Sequence, residues 1–288
     1  MSQKSIPTFF HIENILMKTD LSQATFIIPI RIESSDRLRN VITITAFLVE
    51  NFDTNIIVKE VDSKSVFQEQ AMPILEEIVE GDIWKNFNFI FERSDKPLFH
   101  RQRVLNEMIM EADTDIVVNY DCDVILPKES YKSAYDSILD GECDVVYPYG
   151  QGMYQKQVLA TDEVVSNFLD KTDYSHLDSV SKTHTSDFGW AQFLKRQVYI
   201  DGGMENENFK AYAPEDKERF YRFKTLGYNV GRINNYVYHL EHARGENSWF
   251  SNPYMKSNMG EWEKIEKMNK ENLLEYYSQQ DYLRKYNK

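Results

Sequence analysis

Five short runs, separated by longer amphipathic stretches, constrain this chain more than any other feature. Residues 25–30, 87–91, 116–120 and 144–148 are mostly apolar, 55–62 has an apolar start and an acidic end, and all are too short for a buried helix, so they read as strands. Between them, 37–50 places Leu38, Val41, Ile42, Thr45 and Leu48 on one face, with Ser34-Ser35-Asp36 as its cap. Residues 101–111 do the same with Val104, Leu105, Met108 and Ile109, and a further helix is expected over 129–140. Parallel strands need a helix-length crossover, so this alternation predicts an α/β fold: a parallel sheet with helices on its faces.

The second half of the chain reads differently. Residues 150–186 are polar and mixed, and are expected to supply helices that cover the sheet. An apolar, aromatic stretch over 188–200 ends in the turn Asp201-Gly202-Gly203. Glu215-Asp216 opens a helix over 215–226, where acids suit the positive helix terminus. Residues 230–240 are mostly extended, and 257–288 are helical, with Trp262, Ile265, Met268 and Leu273 as a docking stripe. That tail reads first as a helix packed on the body. Peripheral contact with a membrane surface is the sharper alternative, weakened by its interspersed charges.

The formal net charge is −13, so nucleic acid is not expected as a partner, whereas a small anion screened by a cation is compatible with it. Cys122 and Cys143 are the only cysteines, which implies no disulfide framework and fits a reducing compartment. Residues 1–12 lack a basic-then-apolar signal pattern, and no apolar run approaches the ~20 residues of a membrane span. A soluble cytoplasmic protein is the expectation.

The fourth strand leads directly into Asp121-Cys122-Asp123. In an open α/β sheet the carboxyl ends of strands are where ligands bind. Two carboxylates placed there are paired, solvated or bound to a cation, because bare buried charge is costly. Oxygen ligands suit Mg²⁺ or Mn²⁺, which bridge protein carboxylate and substrate phosphate. On this motif alone, two solvated aspartates at a strand-end turn remain the competing reading.

Several motifs in order change that balance. Ile28-Pro29-Ile30-Arg31, Phe99-His100-Arg101-Gln102-Arg103-Val104-Leu105-Asn106, Asp121-Cys122-Asp123, the stretch from Gly202-Gly203 to Glu215-Asp216, and His239-Leu240-Glu241-His242 together resemble the metal-dependent glycosyltransferases of the GT-A type. Within that broad family-2 group the chain is similar to the enzymes of bacterial capsule and surface polysaccharides and to the β-1,4-galactosyltransferase branch. The resemblance covers 24–250 and implies a Rossmann-like, mostly parallel central sheet flanked by helices. It implies a catalytic domain over 1–253, with the nucleotide-binding part at 24–126 and the acceptor part at 150–253, followed by a helical C-terminal extension over 254–288.

The same resemblance assigns roles. Pro29, Arg31, Arg101 and Asp121 would contact the nucleotide sugar, with Arg103 second to Arg101. Glu60 or Asp62 would take the base or ribose, and Gly203 would let the backbone approach the sugar. Asp123 and His242 would ligate Mn²⁺ or Mg²⁺, with His239 as a weaker ligand. An extended strand sends residues three apart to opposite sides, so both histidines can share an ion only if the chain turns there. Asp216 would be the base that deprotonates the acceptor hydroxyl, with Glu215 orienting a sugar. Tyr212 would stack on the acceptor, Trp249 would close the site, and Asp187 and Trp190 would line the sugar pocket. Ala213-Pro214 and Tyr212 depart from the family pattern, which bears on acceptor geometry.

The implied activity is inverting transfer from a nucleotide-diphosphate donor, UDP-linked by resemblance, to a glycan or lipid-linked oligosaccharide at the inner face of the cytoplasmic membrane. A nucleotidyltransferase is the rival enzyme, but it would be expected to carry a Gly-rich phosphate loop after the first strand, and residues 28–35 contain no glycine. A non-catalytic sugar-binding protein is the rival from outside enzymes, and it would have no use for Asp216 as a base.

Overall fold

A computed structural model of the chain describes residues 18–79, 83–186, 188–211, 214–245 and 252–286. Four runs become parallel strands: β1 (Thr19–Ile30), β2 (Phe52–Asp62), β3 (Phe87–Arg93) and β4 (Ile116–Tyr120). The fifth, β6 (Val145–Tyr147), pairs in parallel with β10 (Val230–Arg232). Between β4 and β6 lies β9 (Ala191–Lys195), antiparallel to both. The resulting sheet of seven strands has the order β10-β6-β9-β4-β1-β2-β3. It is mostly parallel and flanked by helices, as the sequence implies, and the apolar stretch over 188–200 supplies its one reversed strand.

The crossovers are α1 (Ser35–Asn51), α2 (Met72–Ile78), α3 (Arg101–Glu111) and α4 (Lys128–Leu139). Ser34 caps α1 by accepting from the Arg37 amide, as its position predicts. Phe47 of α1 and Tyr131 of α4 meet over the sheet, with Phe52 4.7 Å and Phe26 6.1 Å from the Tyr131 ring. The β-branched positions of β4 are all below 2% exposed, which is why that run reads so clearly in the sequence.

The expectation for 150–186 needs correction. Helices α5 (Asp162–Lys171) and α6 (Tyr174–Ser179) do lie there, but so do β7 (Gln155–Val158) and β8 (Ser181–Thr183). With β5 (Val124–Ile125) and β11 (Val237–Leu240) they form a second sheet, ordered β5-β11-β7-β8. Gln-Lys-Gln-Val and Ser-Lys-Thr are too short and polar to signal strands; the first becomes one by pairing with β11 and the second by pairing with β7. This sheet brings β11 beside the Asp121-Cys122-Asp123 turn, because β5 follows that turn immediately.

After β9 come α7 (Arg196–Asp201) and α8 (Glu215–Leu226). The tail forms two helices, α9 (Met255–Ile265) and α10 (Lys270–Ser278), with Asn269 capping the second. Trp262, Ile265 and Leu273 are buried together with Phe209 and Leu226, so the expected stripe docks on the body. Among the described residues no helix is long and apolar enough to cross a membrane.

Candidate active site

The carboxyl ends of β1 and β4, the start of α8 and the end of β11 surround one cavity of about 480 Å³. Pro29, Arg31, Arg101, Asp121, Asp123, Glu215, Asp216, His239 and His242 all line it. Residues separated by more than two hundred positions in the chain are thus gathered where the sheet ends.

The cation candidates are grouped closely. One ligand atom from each of Asp123, His239 and His242 lies within 4.8 Å of the others. Nε2 of His242 is 3.0 Å from Asp123 Oδ2, and Nε2 of His239 is 3.8 Å from Asp123 Oδ1. Both histidines reach the same carboxylate because β11 stops at Leu240 and the chain turns away from the strand. Helix α1 holds that turn. Asn40 Nδ2 donates to the Leu240 carbonyl at 3.0 Å, Arg39 Nη2 to the Glu241 carbonyl, and Asp36 accepts from the Ala243 amide.

Nδ1 of His242 faces the Ala243 carbonyl at 2.7 Å, and that partner makes Nδ1 the protonated nitrogen. Its Nε2 lone pair then points at a carboxylate oxygen, an arrangement that needs a positive centre between them: a proton or a metal ion. Burial alone would raise the Asp123 pKa, yet the adjoining His239 and His242 rings, when protonated, hold it well below the usual carboxylate range. Burial pushes the His239 ring down to about 4, leaving it neutral and able to ligate near pH 7. A carboxylate and two imidazoles so placed could together hold a metal ion.

Across the cavity, Asp216 rests on a buried network. Its Oδ1 is 3.1 Å from Arg219 Nη1. Arg219 is fully enclosed and forks onto Glu205 at 2.6 and 2.8 Å, while Nη1 also donates to Gln192 Oε1. That oxygen accepts from Asn119 Nδ2 as well, and Arg101 donates to Asn119 Oδ1 and, at 2.5 Å, to Asp121. A continuous chain of polar contacts therefore joins Asp121 to Asp216 beneath the cavity floor. Gly189 leaves room for the acid: a Cβ there would stand 3.1 Å from Asp216 Oδ2. Glu215 is 7% exposed, and its Oε2 is buried without a hydrogen-bond partner. Burial, and then the neighbouring Asp216 carboxylate, push the Glu215 carboxyl up to about 8, so it carries a proton near neutrality.

Gln192, Glu205, Arg219 and Gly189 are absent from the sequence-based expectation. Glu205 lies inside the glycine-rich motif, but nothing local announces that Arg219 will fold onto it.

Other expected residues stand elsewhere. Glu60 is fully enclosed and does not line the cavity; its carboxylate accepts from Ser65 Oγ and from the amides of Val66 and Phe67. It closes the turn after β2, where an acid signals a cap as readily as a ligand. Asp62 is half-buried beyond the cavity lining and accepts from the Ser63 amide. Gly203 also lies away from the cavity. It adopts φ +94°, and a Cβ there would be 2.5 Å from the Tyr277 ring, so the glycine admits α10 rather than a sugar. Arg31 lines the cavity, but its guanidinium donates to the carbonyls of Val61, Lys96 and Pro97, which ties the end of β2 to the loop after β3. Arg103 pairs with Glu92 and Glu107 outside the cavity. Asn106 makes a long-range contact, clasping the backbone of Glu205 at 2.8 and 3.0 Å. Trp190 lines the cavity at φ +76° and stacks 6.0 Å from the His239 ring. Tyr212, Trp249 and Asp187 lie outside the described residues.

A seven-stranded, mostly parallel sheet with this arrangement of helices is the GT-A fold of solved glycosyltransferase structures. Among solved structures, the mannosyltransferase PcManGT from Pyrobaculum calidifontis, in complex with GDP-Man and Mn²⁺, matches with a TM-score of 0.52 at 14% identity, over 91% of this chain and 69% of its own. The S. aureus TarS 1-349 structure in complex with UDP-GlcNAc matches at 0.48 and 13%, over 80% of this chain, which spans about 60% of that one. No family model and no curated protein matches the sequence. What the likeness to the mannosyltransferase establishes is the fold.

Proposed function

We propose that the protein is a metal-dependent glycosyltransferase that moves a sugar from a nucleoside-diphosphate donor to a hydroxyl of a glycan acceptor. The observation that carries this reading is the placement of Asp123, His239 and His242 in the same cavity as Asp216 and Glu215, at the strand ends of a GT-A fold. Asp123, His239 and His242 would hold the divalent cation, Mn²⁺ or Mg²⁺. When bound, the ion neutralises the diphosphate as it leaves.

The chain's own residues do the rest. Asp121, held by Arg101, faces the ribose or sugar hydroxyls, and Pro29 and Arg31 form the wall on the nucleotide side. Asp216, oriented by Arg219, accepts the proton of the acceptor hydroxyl as that oxygen attacks the anomeric carbon. Attack from the face opposite the departing diphosphate inverts the anomeric centre. Protonated Glu215 donates its unused hydrogen bond to a sugar oxygen. Residues 1–253 form the catalytic unit and 254–288 its helical extension. The setting consistent with the sequence resemblance is bacterial capsule or surface-polysaccharide assembly on a lipid-linked acceptor at the inner face of the cytoplasmic membrane.

A panel of UDP- and GDP-linked sugars, incubated with Mn²⁺ and scored for nucleotide diphosphate release with and without chelator, tests the reading. Release from at least one donor that stops on chelation is expected. Release that ignores the chelator, or none from any donor, overturns it.

A further inference from the structure

Arg37 lines the cavity, yet no expectation from the sequence included it. It stands in the first turn of α1, where Ser34 Oγ accepts from its amide at 3.3 Å. Its side chain is 19% exposed, and its Nε is buried without a hydrogen-bond partner. The Glu33 carboxylate lies 3.8 Å from that nitrogen, beyond hydrogen-bond reach. Arg31 and Arg101, which line the same cavity, direct donors at backbone carbonyls and at Asn119 and Asp121.

Arg37 is also near enough to the metal candidates for its field to act on Asp123 and His242. A permanent positive charge beside a cation site opposes the ion that the three ligands attract. The arrangement becomes favourable once a polyanion lies against both positive centres. A diphosphate has the charge to do so, and guanidinium N–H groups match phosphate oxygens in geometry.

We propose that Arg37 is the second positive centre on the donor's diphosphate, so that cation and diphosphate bind as a couple and each binds weakly without the other. The inference rests on reading the cavity as a nucleotide-sugar site. It gives Arg37 two effects of opposite sign: it weakens binding of the free ion and strengthens binding of the ion with a diphosphate. A residue that only braced Glu33 would produce neither.

The test measures dissociation constants for Mn²⁺ alone, and for UDP and GDP at saturating Mn²⁺, in the full chain and its Arg37→Gln and Arg37→Lys variants. In Arg37→Gln, Mn²⁺ alone should bind about two- to fivefold more tightly, because a like charge has gone. The better-bound nucleotide should bind about tenfold or more weakly, because a charge-assisted hydrogen bond is lost. Arg37→Lys should recover most of the nucleotide affinity. If Arg37→Gln shifts both constants the same way, or leaves the nucleotide constant unchanged, the inference is overturned while the site stands. If the unmodified chain binds neither nucleotide with Mn²⁺, the reading of the cavity falls with it.

Discussion

Asp216 and Glu215 are adjacent carboxyls with different surroundings, and in the proposed reaction that difference separates their tasks. Asp216 has Arg219 at 3.1 Å, whereas the buried Oε2 of Glu215 has no partner. As the base, Asp216 should be indispensable to turnover but not to donor binding. Asp216→Asn is expected to lower kcat by about 10²–10⁴-fold while the donor KM moves only a few-fold, as read by steady-state kinetics. Glu215 bears on stability. Its folded pKa is raised from 4.5 to about 8, so its contribution is fully present below about pH 4.5 and is lost as pH rises towards 8. Over that window the unfolded chain releases a proton that the folded chain retains. Thermal melts from pH 5 to 8 should therefore show the unmodified protein losing ground to Glu215→Gln as pH rises; parallel curves would remove the buried proton from the account.

At the scale of elements, the site depends on how a strand ends. Were β11 to continue past Leu240, His242 would face away from His239; the ties from Asp36, Arg39 and Asn40 of α1 prevent that. The glycine pair works at this scale too. Gly203→Ala meets both a left-handed backbone and the Tyr277 ring, and should destabilise the fold by about 1–3 kcal/mol or more. Because Gly203 is remote from the cavity, kcat of the folded fraction should stay unchanged; a melting curve with an activity assay separates the two effects. The elements legible in the sequence were those whose burial leaves a local trace, such as β4 with its β-branched run and α3 with its apolar stripe. β7 and β8 left none, because their strand state comes from pairing, β7 with β11 and β8 with β7. Glu60 was legible as an acid after a strand, but an acid that caps a turn and one that binds a ribose look alike until the turn is seen. Gln192, Glu205 and Arg219 had no local signal of their meeting, since it is made by the Arg219 side chain reaching from α8 to Gln192 of β9 and to Glu205.

For the whole molecule, the sheet order brings the ends of β1 and β4 together, and the second sheet sets β11 beside them, so one cavity receives residues from both halves of the chain. The central claim is that this cavity holds a cation between Asp123 and the two histidines, facing Asp216. Anomalous diffraction at the manganese edge, from crystals grown with Mn²⁺ and a nucleoside diphosphate, tests it most directly. The account predicts a peak about 2.0–2.4 Å from an Asp123 oxygen and the Nε2 atoms of His239 and His242, with the diphosphate on its open side. A peak held by other residues, or a bound nucleotide with no metal at Asp123, would contradict it.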